Sequence, residues 1–147
     1  MSLKERLLED MKVAMRDKDV ISKNTVQMAR SAVLQVEKDS RITLDDDGIL
    51  DIIAKEVKKR RDSLPEYEKS GRQDLIDNLK TEIEVLMKYL PQQLTEEELE
   101  VIVRQAIQDT GASTAKDMGK IMQEVRPKVK GRADGRMINE IVKRIIG

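Results

Sequence analysis

Two tyrosines, Tyr67 and Tyr89, are the only aromatic residues in this chain of 147, which also has no Phe, Trp, Cys or His. Aromatic side chains are among those that best fill a pleated, half-buried surface, and a chain nearly without them is poorly suited to sheets. Its residues are dominated by Leu, Ile, Met, Lys, Arg and Glu, mostly good helix formers. Only 7 Gly and 3 Pro interrupt them. The expected fold class is all-α. The same absences exclude chemistry. No disulfide or thiolate zinc site can form, and neither a Cys nucleophile nor a His base is available. Two tyrosines are also too few for the aromatic platforms on which sheet-type RNA modules stack bases.

Charge narrows the partners. The 28 basic and 28 acidic groups cancel, which argues against non-specific coating of nucleic acid. Their distribution is uneven. Residues 116–147 carry nine basic and four acidic groups, whereas residues 95–115 carry one basic and five acidic. No segment approaches about 18 uncharged apolar residues, so no membrane span is expected. The first ten residues lack the apolar run of a secretory leader, and the location expected on that basis is cytoplasmic.

Apolar spacing sets out seven helices. Leu3, Leu7, Leu8, Met11 and Met15 give a first helix over about residues 3–18. Ser22 is a candidate cap for a second, with Val26, Ala29, Val33 and Val36 on its inner face. Asp45 can cap a third, in which Ile49, Ile53, Val57, Leu64 and Tyr67 mark the seam, Pro65 should kink the helix or begin a new turn, and Gly71 ends it. Leu75, Leu79, Ile83, Leu86 and Leu90 mark a fourth that stops before Pro91. Then comes Leu94-Thr95-Glu96-Glu97-Glu98-Leu99, which has the pattern of a capping box with a hydrophobic staple. After the Leu-Pro stop this reads as a domain border, giving a helical N-terminal domain over 1–92 and a three-helix domain over 93–147. In the latter, Leu99, Ile102, Val103, Ala106 and Ile107 belong to the fifth helix, which ends at Gly111. The sixth starts near Thr114, uses Met118, Ile121, Met122 and Val125, and ends before Pro127. The seventh starts near Asp134 and uses Met137, Ile138, Ile141, Val142 and Ile145.

Two clusters of charge are candidates for function. In the third helix, Arg60 and Arg61 fall between Val57 and Leu64 on the apolar seam, and Glu82 falls between Leu79 and Leu86 on the fourth. Counted from a turn at Gly71, residues 60 and 82 lie at equal depth in an antiparallel hairpin. Arg60 or Arg61 is therefore expected against Glu82, as a structural ion pair or as part of a polar patch. The alternative is a solvated face, since Glu56 and Arg60 also make a favourable i,i+4 pair. The second cluster is Arg126-Pro-Lys128-Val-Lys130-Gly131-Arg132-Ala-Asp134-Gly135-Arg136. Glycines let a backbone approach phosphate, and a helix start offers free N–H groups. Lys120, Lys128, Lys130, Arg132 and Arg136 are the candidate RNA-binding residues, expected to form one positive patch. A polar interhelical loop with Asp134 as a cap is the plain alternative. No catalytic residue, metal ligand or cofactor site is expected from the sequence.

Gly71-Arg72-x-Asp74-Leu75, Glu82, Tyr89-Leu90-Pro91-x-x-Leu94 with Glu97-Glu98-Leu99, Met118-Gly119-Lys120-Ile121-Met122 and Gly131-Arg132-Ala133-Asp134-Gly135 together form a pattern that resembles the YqeY-like family. The resemblance extends to Ala14-Met15, Lys18-Asp19, Arg30, Lys58, Arg60 and Ser63, and so spans almost the whole chain. It implies two helical domains, the second similar to the tail domain of the GatB component of aspartyl/glutamyl-tRNA amidotransferase. That tail is a tRNA-contacting appendage of an enzyme whose chemistry resides in other domains. The expectation is a non-catalytic accessory with tRNA, tRNA amidotransferase or another translation protein as partner. The alternatives are a component of a glutamine-dependent carbon–nitrogen ligase and a protein–protein adaptor.

Overall fold

Five of the seven helices begin at a side chain that accepts one of the orphaned backbone N–H groups of the first turn. The computed structural model describes residues 1–147 and is all-α, with no strand. Its helices are α1 (Leu3–Arg16), α2 (Val20–Ser40), α3 (Asp46–Ser70), α4 (Gln73–Met87), α5 (Glu96–Thr110), α6 (Met118–Val129) and α7 (Gly135–Ile146). Packing divides the chain into two units, Met1–Leu90 and Pro91–Gly147.

In the first unit, Ser2 caps α1 and Asp45 caps α3, each accepting a backbone N–H three residues on. The cap of α2 differs from the expectation. Asp19 accepts from the Ser22 backbone N–H at 3.1 Å and from its hydroxyl at 2.7 Å, so Ser22 lies inside the helix. The α1–α2 turn is consequently short, and it places Lys18 in the left-handed region with φ of 58°. Helix α3 runs through Pro65 without a break. Pro65 is exposed, so the carbonyl that loses its donor can turn to water. Gly71, with φ of 71°, supplies the left-handed residue that ends α3.

Leu7, Val26, Val33, Ile49, Ile53, Val57 and Leu86 form the centre of this unit's core. Several expected seam residues are not in it. Met15 is 55 % exposed, because α1 ends one residue beyond it, and Tyr67 is 37 % exposed near the tip of the α3–α4 hairpin. On α4 the buried set is Ile76, Leu79, Val85 and Leu86 rather than the regular leucine ladder.

The second unit packs α5, α6 and α7 around Leu99, Val103, Ile121, Val125, Ile138, Ile141 and Val142. Thr95 accepts from the Glu98 backbone N–H at 3.1 Å. The return bond differs from the usual box, since the Thr95 hydroxyl donates to the Glu98 carboxylate at 3.1 Å. Leu94 is buried in the same core as Leu99. Asp117 is the carboxylate that reaches back before α6, accepting the backbone N–H groups of Ser113 at 3.1 Å and Thr114 at 3.4 Å. Those bonds hold its carboxyl below the ordinary aspartate range, with a smaller contribution from the charge of Lys120. Helix α6 also runs through its proline, Pro127, and ends at Val129.

Candidate functional site

The basic loop between α6 and α7 is braced as well as charged. Gly131 has φ of 74°, a conformation that favours glycine. Around it the backbone closes a tight turn, Arg132 N–H to Val129 C=O at 2.7 Å. The segment just before α5 then lies along the loop. Leu94 N–H donates to Arg132 C=O at 2.8 Å, Gln93 Nε2 to Gly131 C=O at 2.8 Å, and Arg132 Nε to Gln92 C=O at 3.2 Å.

The five expected phosphate contacts therefore differ in what they can offer. Arg132 is half-buried and commits its Nε to the brace. Lys128 is exposed and pairs with Glu124 at 3.3 Å. Lys120 is exposed two turns earlier on α6, so Glu124 interrupts the charge between them. Lys130 and Arg136 are exposed where the loop leaves α6 and enters α7. The α7 start is not an empty anion cradle, because Asp134 already accepts the Arg136 N–H at 2.9 Å. Gly135 beside it is exposed, and a Cβ there would touch nothing within 4 Å.

The second candidate cluster lies inside the α3–α4 hairpin. Arg60 is only 7 % exposed. Its Nε donates to Glu82 Oε1 at 3.4 Å, and its Nη1 donates to Glu56 Oε2 and Glu56 C=O, both at 3.1 Å. Nη2 lies 3.7 Å from the Met28 sulfur on α2. The i,i+4 partner on α3 and the cross-hairpin partner thus share one buried guanidinium. Arg61 does not reach Glu82; its Nη2 lies 3.6 Å from Met87 Sδ instead.

A third site has no periodic signature in the sequence. Tyr89, 7 % exposed, donates its hydroxyl to Asp10 on α1. The Arg6 guanidinium stands 4.6 Å from the centre of the Tyr89 ring and donates to Lys88 C=O at 3.3 Å. Burial, with Asp10 next in effect, raises the Tyr89 hydroxyl far above the ordinary phenol range, so it remains a donor. The one hint in the sequence is that one of the two aromatics sits in a Tyr-Leu-Pro stop. Tyr89→Phe should remove this long-range bond and lower the stability of the first unit by about 1 kcal/mol in urea unfolding, with little change in helix content.

No three carboxylates gather as a metal site, and no helix is long and apolar enough to cross a membrane. What fold and site define is an all-helical protein of two units, the second a three-helix domain with a braced basic loop. The family model described as "Yqey-like protein" matches residues 4–146, and the chain belongs to the YqeY-like family.

Its relatives include proteins named "Altered inheritance of mitochondria protein 41, mitochondrial". The one from Pyrenophora tritici-repentis is 26% identical over 148 residues, covering 97% of this chain and 80% of its own length. That from Lachancea thermotolerans is 33% identical over 96 residues, covering 65% of this chain and 51% of its own. That from Kluyveromyces lactis is 36% identical over 84 residues, covering 56% and 45%. The matches span about half the length of the latter two. These names overturn the cytoplasmic expectation, since the relatives are mitochondrial proteins. The lack of an apolar leader could not have decided the point. Mitochondrial transit peptides are amphipathic and rich in Arg and Ser, with no long apolar run.

Proposed function

We propose that this chain binds the phosphate backbone of structured RNA, tRNA foremost, through the α6–α7 loop, as an accessory that does no chemistry by itself. The observation that carries this reading is the placement of charge. Residues 116–147 have nine basic groups against four acidic ones. Of those acids, Asp117 and Asp134 are bound to backbone N–H groups, Glu124 pairs with Lys128, and Glu140 is exposed on α7. Lys120, Arg126, Lys130 and Arg136 are exposed on the same small unit. No aromatic residue lies in that unit, so contacts to phosphate, rather than base stacking, are the available mode. The likeness to the tail domain of the tRNA amidotransferase favours tRNA as the RNA and a tRNA-modifying enzyme as the protein it accompanies.

The test is a fluorescence-anisotropy titration of the full chain against tRNA at several salt concentrations. About four phosphate contacts give a log–log salt slope near −3. Absence of binding at about 50 mM salt, or binding indifferent to salt, rejects the reading and leaves the protein–protein adaptor ahead.

A further inference from the structure

The first unit contains a cleft of about 360 Å³ where α1, the start of α2 and the end of α4 meet. That volume lies within the range of about 300–1,000 Å³ usual for small-molecule sites. Its apolar wall is Ala14, Val26 and Val85, all buried. Most of its polar groups are already engaged. Asp10 holds the Tyr89 hydroxyl, Arg6 lies over the Tyr89 ring, and Asp19 is taken up by the N–H and hydroxyl of Ser22.

Two exposed charges of opposite sign form no ion pair, although, after the bonds from Ser22, the charge of Lys88 also helps to hold the Asp19 carboxyl low. Asp17 lies at the C-cap of α1, and Lys88 at the C-cap of α4. Both are exposed, both line the cleft, and neither forms an ion pair within 4.0 Å. Asp17 sits at the negative end of the α1 dipole, where a cation is favoured, and Lys88 offsets the same end of α4 with its own charge. A simple anion entering the cleft would meet Asp17 and Asp19 as well as Lys88. A simple cation would meet Lys88 and Arg6 as well as Asp17. A ligand carrying both signs satisfies the two ends at once. We infer that this cleft binds a small zwitterion of the amino-acid class, its ammonium toward Asp17, its carboxylate toward Lys88 and an aliphatic side chain against Ala14, Val26 and Val85. The site is independent of the RNA surface.

L-leucine is the probe. The full ¹⁵N-labelled chain is titrated with leucine, with leucine methyl ester (no carboxylate) and with 4-methylpentanoate (no ammonium), following amide shifts. Saturable shifts at Asp17, Ser22 and Tyr89 are expected with Kd of about 1 mM for leucine, and binding at least about tenfold weaker for each one-charge analogue. Asp17→Asn and Lys88→Gln should each weaken leucine by a similar factor. Both side chains are exposed, so an unchanged melting temperature shows that the variants fold. No saturable shift up to about 20 mM leucine, or equal binding of either analogue, overturns the proposal.

Discussion

Replacing Arg60 by Ala should destabilise the first unit by about 3–5 kcal/mol, the range for removing one partner of a buried ion pair. The reason is what it leaves behind. Glu56 is 8 % exposed and sits one turn away on α3, and it loses a side-chain bond and a bond to its carbonyl together. Lys59, 3.9 Å from Glu56 and itself exposed, offsets part of that loss. Glu82→Ala should cost less, about 1–2 kcal/mol, because Arg60 retains Glu56 and Glu82 has partial access to water. Replacing Arg60, Glu56 and Glu82 together by apolar residues of similar volume should recover most of the loss, since buried ion clusters are seldom net stabilising. Both tyrosines lie in the first unit, so tyrosine fluorescence during urea unfolding reports on that unit separately. A cost below about 1 kcal/mol for Arg60→Ala would show that the guanidinium is not the keystone its burial implies.

The Arg60–Glu82 contact is legible in the sequence because it follows from counting. Two apolar seams and a glycine turn fix the register of a hairpin, and equal depth then names the pair. Caps are legible where the signal is local. Asp45, Thr95 and Asp134 each stand a few residues before an apolar period, and Gly71 and Gly111 stand just after one. The α1–α2 turn is hidden because its left-handed position is occupied by Lys18, a residue that announces no turn, so the sequence points to Ser22 as the cap where Asp19 does the capping. Prolines mislead in the other direction. Pro65 and Pro127 lie inside continuous helices, where exposure lets water take the freed carbonyl. Contacts without a period are invisible. Asp10 and Tyr89 are 79 positions apart, and the Gln92–Arg132 brace spans 40. The loop therefore reads as an open basic stretch, although Arg132 is part of its support.

That brace decides how the RNA surface should be probed. Changing Lys130 and Arg136 together to Ala should lower the magnitude of the salt slope by about 1.5, toward −1.5, and weaken tRNA binding at 0.1 M salt by roughly 25- to 60-fold. Each cation that neutralises a phosphate releases a counterion, so two contacts account for both numbers. Arg132→Ala is a poor substitute. It removes the bond to Gln92 as well as a charge, and should lower the stability of the second unit by about 0.5–1.5 kcal/mol. Asp134→Ala supplies a control of opposite sign. It removes the carboxylate that accepts the Arg136 N–H at the start of α7, which should cost about 1 kcal/mol of stability. It also uncovers a helix N-terminus beside Lys130 and Arg136 and deletes a negative charge, so tRNA should bind more tightly to the variant. A less stable protein that binds better cannot be explained by partial unfolding, which would weaken both. If Asp134→Ala leaves tRNA affinity unchanged while the Lys130/Arg136 change abolishes it, the phosphate lies on the loop away from α7. If neither change alters the titration, the α6–α7 loop is not the RNA surface.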